Sequence, residues 1–567
     1  MAGQFVKNGA TLKCPLCSSS GTLVVSHTQV QLQDTPCATN GDKSSTNLVF
    51  GGVCKKWRKS PPPCASVIAP TQWKGVATDI EIDGEFMLLE DSTIMCSTGG
   101  VDIAIEDTAQ IDVPTDLPDT ENALLKKFLV NIRRPDDYMG EYGFDWLRDE
   151  YIYPIEMVQF DYDGTPINSN VPICRDPQNI KNEYKSKDVL NPITPYGEDY
   201  YTSWLSIFPD TTTEEFSHGS RMHENGIDLD IEIEELEPLI NDDTEIVFEA
   251  NNQYIKIVPE KIRLSELLSN KITKNLGNST REYYRTSKMI NVKCEGGALS
   301  SHEEIKIFAQ LEGEKEEVGK LMIYKNDIIP KAEMVVVNVV TGSPATLSGD
   351  YQYAFKFQSF NQALIRAEVK VDTRFDINSL PSGDFDVIQF KSNYINAAGN
   401  IGANGADGFL RDLKTLYERY GTHSPRNNAL IDSNNNARTY LFYTSIIAQT
   451  NFQNGRYQRT DGIATADLSN FSNCSCVKWG NAFTMFGTAL IDNYVVVHEA
   501  GHSLSLPHAF EEGFPKPHVF HKGFTDNVMD YIQKVDGSAN PFTGKMVSFY
   551  KWQWDIMRSD RSLIFNY

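Results

Sequence analysis

The stretch YVVVHEAGHSLSLPHAF, residues Tyr494 to Phe510, sets the reading of this chain. His498, Glu499, His502 and His508 fall within it, in a sequence that holds 10 histidines altogether. At these frequencies a chance His-Glu-x-x-His in a chain this long has odds of roughly one in a hundred, and a further histidine six residues on lowers them to about one in several thousand. The spacing has a physical reading. Residues i and i+4 of an α-helix stand one turn apart on the same face, so His498 and His502 can present ring nitrogens to one point. Zinc takes nitrogen ligands at about 2.0–2.1 Å and, when catalytic, keeps one position open for water. Glu499 flanks the first ligand and can reach that water as general base. His508 would point roughly 240° round from His502 if the helix ran on. Pro507 disfavours the helical conformation at Leu506, so LSLPH predicts a stop and a reversal that brings His508 back as third ligand.

This run resembles the zinc signature of the metzincin metallopeptidases, His-Glu-x-x-His-x-x-Gly-x-x-His followed by a Met-turn. The resemblance covers residues 331–567. It implies that TDNVMDY is the Met-turn, with Met529 as an apolar floor beneath the metal. Tyr531 matches a position where some members carry a tyrosine that ligates zinc or steadies the transition state. One departure is plain: the glycine of the turn between the second and third ligands is Ser505 here. A non-glycine in a left-handed turn costs on the order of 1–2 kcal/mol, which bears on the shape of the turn more than on the ligand set. Rival ligands exist. His518 and His521 lack a fixed relation to the helix, and Glu511 and Glu512 lie too close behind it for a thermolysin-like third ligand. Cys474 and Cys476, in NCSC, could cap the zinc in a latent state or be structural. His27, His218, His223, His302 and His423 stand alone and read as surface or hydrogen-bonding residues.

At 567 residues the chain exceeds what one core supports, so several domains are expected. With 52 basic against 76 acidic residues the net charge is −24, which argues against nucleic acid as a partner. The start, MAGQFVKNGATLKC, lacks an apolar core of signal-peptide length, and no apolar run approaches a bilayer span. The expectation is synthesis in the cytoplasm and export by a route without a cleaved signal.

The first 115 residues are rich in Gly, Ser, Thr and Pro. TLVVSHTQVQLQ and EFMLLEDSTIMC read as strands and KSPPPCASVIAP as an extended loop. This end is locally basic, and Pro114–Thr120 reads as a linker. Residues 121–330 read as a β-rich region of one or two sandwich-like modules, from FLVNIRR to GKLMIYKND. Ile227–Leu236 alternates apolar residues with Asp or Glu, which predicts a half-buried strand with a solvated acidic face. YMGEYGFDWLRDEY reads as a packed aromatic turn. From residue 331 strands and helices alternate: KAEMVVVNVV is a buried strand, GFLRDLKTLYERYG an amphipathic helix ended by Gly421, and FYKWQWDIMRSD a closing helix. That grammar predicts an α/β domain over 331–567.

Six of the ten cysteines, Cys14, Cys17, Cys37, Cys54, Cys64 and Cys96, lie in the first hundred residues. Six in a small loop-rich segment indicate a metal site or disulfides. NGATLKC, VCKKW, PPPCASVIAP, WKG at Trp73 and IMCSTGGVDI follow the order seen in PAAR-like proteins, so residues 1–115 are similar to the small β cones that tip the spikes of contractile injection machines such as type VI secretion systems. The resemblance selects Cys14, Cys54, Cys64 and Cys96, which would close a second, structural Zn2+ or pair as disulfides after delivery. A cone has little interior, so a staple is expected.

Together these readings give a multidomain chain: a PAAR-like cone, a β-sandwich-like middle and a metzincin-like α/β zinc peptidase. The function implied is a secreted effector carried on a VgrG-type spike protein, hydrolysing protein or peptide substrates in a target cell, with an immunity protein as a further expected partner. The competing reading is a structural spike or adaptor protein whose zinc domain only binds a partner. Retention of Glu499 argues against it, because binding zinc does not require that residue.

Overall fold

The structure, a computed structural model, describes residues 4–27, 30–32, 35–82, 84–110, 125–160, 164–212, 222–277, 279–395, 401, 405–425, 438–452, 456–465, 481–512, 516–560 and 562–565. The expected linker Pro114–Thr120 and the pair Cys474 and Cys476 lie outside these. Two compact units result, Met1–Asn122 and Ala123–Tyr567. No described helix is long and apolar enough to cross a membrane.

The first unit is built on an antiparallel six-stranded sheet in the order Leu48–Phe50, Gly21–Leu23, Thr11–Lys13, Val101–Asp107, Glu85–Cys96, Pro70–Ile82. Its short strands bury alternate residues such as Leu12, Leu23, Leu48, Ile94 and Ile103, as a two-residue period demands. Cys14, Cys17, Cys54, Cys64 and Cys96 fill the rest of that core with Trp73, whereas Cys37 packs apart with Ala77 and Met87.

In the second unit the middle region forms two large sheets and a two-stranded ribbon, Ile155–Phe160 with Pro166–Val171. One runs in the order Gly143–Asp145, Ser203–Ser206, Glu314–Ile323, Glu303–Leu311, Glu245–Ala250, Lys261–Arg263. The other runs Ile255–Val258, Ser279–Cys294, Ile227–Glu235, Phe128–Arg133. Their apolar residues meet in one core, and the sheets come so close at Gly319 that a Cβ there would lie 2.2 Å from the Val130 carbonyl oxygen. The acidic strand departs from expectation. Asp230, Glu232 and Glu234 are buried, paired with Arg285 at 3.0 Å, with Arg133 at 3.0 Å, and with Arg281. The strand lies between two neighbours that place arginines across from its carboxylates, in register at Asp230–Arg133 and Glu232–Arg285. Cross-strand ion pairs thus replace hydration.

Beyond residue 330 the chain lays down a new five-stranded sheet. Arg366–Asp376, Lys331–Val340, Thr439–Thr444 and Ala482–Phe486 are parallel neighbours in that order, and Gly462–Thr465 closes the edge antiparallel. Lys331–Val340 is apolar on both faces because both are covered. Val335, Val337 and Val339 meet Phe409 and Leu413 of the helix Gly405–Tyr420, while Met334 and Val336 share a core with Val496 and Ala500 of the helix Asn493–Ser503. That second core is continuous with the sandwich core. The expected division at 330/331 therefore marks a change of sheet inside one packed unit.

Gly143 shows how tightly the two parts fit: a Cβ on it would lie 2.3 Å from the Gln362 carbonyl oxygen and 2.9 Å from Trp554. Gly143→Ala is expected to destabilise Ala123–Tyr567 by about 1–3 kcal/mol through overpacking. Urea unfolding followed by far-UV dichroism should show one transition of this unit shifting to lower denaturant. Separate transitions for the sandwich and the α/β part, with only one displaced, would contradict the shared core.

Candidate metal centre

The helix Asn493–Ser503 begins with Asp492, whose side chain accepts the Tyr494 N–H at 3.0 Å. It places His498 and His502 one turn apart. It ends in a Schellman pattern, with Ser505 N–H donating to His502 O at 3.0 Å and Leu506 N–H to Gly501 O at 3.1 Å. Ser505 sits at φ 69°, the left-handed conformation that glycine would take more cheaply. Its hydroxyl donates to Asp560 Oδ2 at 3.1 Å, which offsets part of that strain. The reversal carries His508 back, and the Ala509 N–H then ties the chain to Met529 O at 2.9 Å.

The three Nε2 atoms converge: His498 to His502 is 3.1 Å, His502 to His508 3.0 Å, and His498 to His508 3.3 Å. Such a triangle has a circumradius of about 1.8 Å, so a point at zinc–nitrogen distance from all three exists on either side of it. The far ring nitrogens fix the tautomers. His498 Nδ1 lies 2.8 Å from Val528 O and His502 Nδ1 2.7 Å from Leu506 O; both carbonyls can only accept, so each Nδ1 carries the proton. His508 Nδ1 lies 2.9 Å from the Glu511 carboxylate, at an angle outside hydrogen-bond geometry. Burial holds all three imidazoles below their usual pKa, His508 at about 3, and the neighbouring imidazoles add to this at His498 and His508. With the protons of His498 and His502 on Nδ1, their Nε2 lone pairs face the shared point, where a cation would engage them together with His508 Nε2. The donor set, three imidazoles backed by acceptors, is the set zinc takes in a catalytic centre.

Around this point lies a cleft of 1090 Å³ whose walls include Glu499, Tyr531 and the edge strand at Gly462. Glu499 is buried, and a Cβ on Gly462 would lie 2.4 Å from its Cγ, so the missing side chain at 462 is what seats the glutamate. Burial, with Asp461 next, pushes the Glu499 carboxyl up to about 8. A positive charge facing it would favour the ionised form that a base needs. The Tyr531 ring centroid is 4.8 Å from that of His508, and burial, with Glu499 and Glu511, pushes its phenol up to about 12, which leaves the O–H a donor at neutral pH. Met529 is fully buried beneath the helix, where a Cβ on Gly501 would lie 2.5 Å from its sulfur.

The rivals go elsewhere. Glu511 stands behind the His508 ring, and Glu512 pairs with Arg175. His518 packs edge-on to Phe520, and His521 Nε2 lies 3.5 Å from Gln159 Nε2. Among the described residues three metal-ligating atoms approach within 4.8 Å of one another only at His498, His502 and His508. The cysteines of the first unit are clustered but not at that spacing. Cys17 shares a core with the four that the resemblance selected, its backbone pairs with that of Cys54, and burial pushes the Cys64 thiol up to about 12. Its signal was the Cys14-x-x-Cys17 spacing. Sequence reading also missed Gly462 and Asp461, which carry no motif and reach Glu499 only through sheet pairing.

A family model described as a domain of unknown function, DUF4280, matches residues 6–110. No curated protein matches the chain.

The geometry sets a stoichiometry. One Zn2+ per chain should bind at the three histidines, and His502→Ala should weaken that binding by at least ~100-fold, because two imidazoles cannot close the site. Isothermal titration against a competing chelator measures this. Unchanged affinity in the His502 variant would contradict the assignment.

Proposed function

We propose that this chain is a zinc-dependent peptidase effector delivered on the spike of a contractile injection machine, with Met1–Asn122 as a PAAR-like tip that docks on a VgrG-type spike protein. The convergence of three acceptor nitrogens beside a buried glutamate, inside an open cleft, carries the catalytic part of this reading. The match of residues 6–110 to DUF4280, a spike-related PAAR-like family, supports the delivery part. The strand-helix order of residues 331–567 and the Met529 floor fit the metzincin resemblance.

His498, His502 and His508 would hold the ion. Zinc so held supplies a Lewis acid that polarises a carbonyl and makes bound water acidic near neutral pH. Glu499 takes the proton of the attacking water and passes it to the departing amine. Tyr531, which keeps its hydroxyl proton, donates a hydrogen bond to the developing oxyanion. The buried cysteines of the tip, free thiols whose sulfurs do not converge as they stand, would have to draw together to pair as disulfides in an oxidising medium or to close on a structural Zn2+.

Glu499→Gln should lower peptide hydrolysis by about 10²–10⁴-fold while leaving zinc affinity at the three histidines unchanged. Mass-spectrometric mapping of new protein termini in extracts, wild type against this variant, checks both the reaction and its substrates. New termini produced equally by the two proteins would overturn the peptidase reading.

A further inference from the structure

The loop Gly523–Tyr531 supplies three parts of the metal centre: the Val528 carbonyl that accepts from His498 Nδ1, Met529 beneath Gly501, and Tyr531 in the cleft. Two buried carboxylates hold this loop. The first is internal. Asp530 accepts the N–H groups of Gly523, Phe524, Thr525 and Tyr531 and the Thr525 hydroxyl, at 2.8–3.1 Å.

The second carboxylate is held from the β-rich half of the unit. Asp526, 2% exposed, accepts at Oδ2 from Arg134 Nη2 at 2.5 Å and from Arg148 Nη2 at 2.8 Å. Both guanidiniums lie over the Trp146 ring, 4.9 and 3.8 Å from its centroid. The Ser548 hydroxyl donates to the same Oδ2 at 2.9 Å, and Tyr151 donates to Oδ1 at 3.3 Å. Burial alone would raise the Asp526 carboxyl, but Arg148 and Arg134 outweigh it and hold the group at about 2. The backbone continues the chain of contacts. Ser548 N–H donates to Asp526 O at 3.2 Å, and Val528 N–H donates to Ser548 O at 2.9 Å. From guanidinium to carboxylate to Ser548 to Val528, each link is a hydrogen bond, and the last one ends on the residue that orients a metal-binding imidazole.

We propose that Arg134 and Arg148 are positioning residues of the metal centre: the β-rich half supplies them to lock Asp526 and so aim the Val528 carbonyl at His498. This rests on the metal reading above. The middle region is then part of the catalytic unit, not a spacer between tip and payload. An ion pair of this kind adds little net stability compared with apolar packing, so its geometry is the property to test.

The test is Co2+ titration of the full chain, read from its visible absorption bands, for wild type, Asp526→Asn and Arg148→Lys. Asp526→Asn is nearly isosteric and cannot balance two guanidiniums. It should lower cobalt affinity about tenfold or more and alter the bands, with near-UV dichroism retained. Arg148→Lys keeps the charge but loses the fork, and should fall between Asp526→Asn and wild type. Wild-type affinity and bands in both variants would overturn the proposal. So would loss of cooperative folding in both, which would make the pair a staple of the fold. A wild-type chain that takes up no cobalt would instead remove the metal reading itself.

Discussion

Three imidazole nitrogens face one another at 3.0–3.3 Å, and two of the rings have their protons committed to carbonyls on the far side, so at most one proton remains to be shared among the three nitrogens. A cation held between them would engage all three nitrogens at once. Much of the surrounding structure serves that convergence. The helix must stop after Ser503, Ser505 must enter the left-handed region, and Ala509 must pair with Met529 before His508 can return. A metal centre needs its ligands fixed, and here the His498 and His502 rings are oriented through the nitrogens that do not face the shared point.

The scaffold that fixes them is larger than the segment carrying the histidines. The parallel sheet positions the helix, and its antiparallel edge strand brings Gly462 against Glu499. The β-rich half contributes arginines to the loop beneath the point where the imidazoles converge, and a backbone bridge between Cys174 and Phe520 joins it to the chain just past the third histidine. Apolar residues of both halves share one core. The packed unit that holds the three histidines is the whole of Ala123–Tyr567, whereas the cysteine-rich unit has its own sheet and its own core.

What the sequence made legible was local. His498 and His502 are a helix turn apart, Pro507 marks the stop, and KAEMVVVNVV announces a strand buried on both faces; each is a pattern within about ten residues. What it hid was long-range. Arg134 and Arg148 look like surface arginines until folding sets them beside Asp526, 392 and 378 residues away. The carboxylates of Ile227–Glu235 read as solvated because their partners, Arg133, Arg281 and Arg285, sit on other strands. Gly462 has no signature at all, since its meaning is the space its missing Cβ leaves for Glu499. Cys17 lay in view in a Cys-x-x-Cys pair, but only its burial in one core with Cys14, Cys54, Cys64 and Cys96 shows that it belongs with them.

The most direct measurement is anomalous diffraction from crystals grown with zinc, recorded on either side of the zinc absorption edge. The account predicts a strong peak between the rings of His498, His502 and His508, at about 2.0–2.1 Å from each Nε2. A map with no peak there, and the three rings turned away from one another, would contradict it.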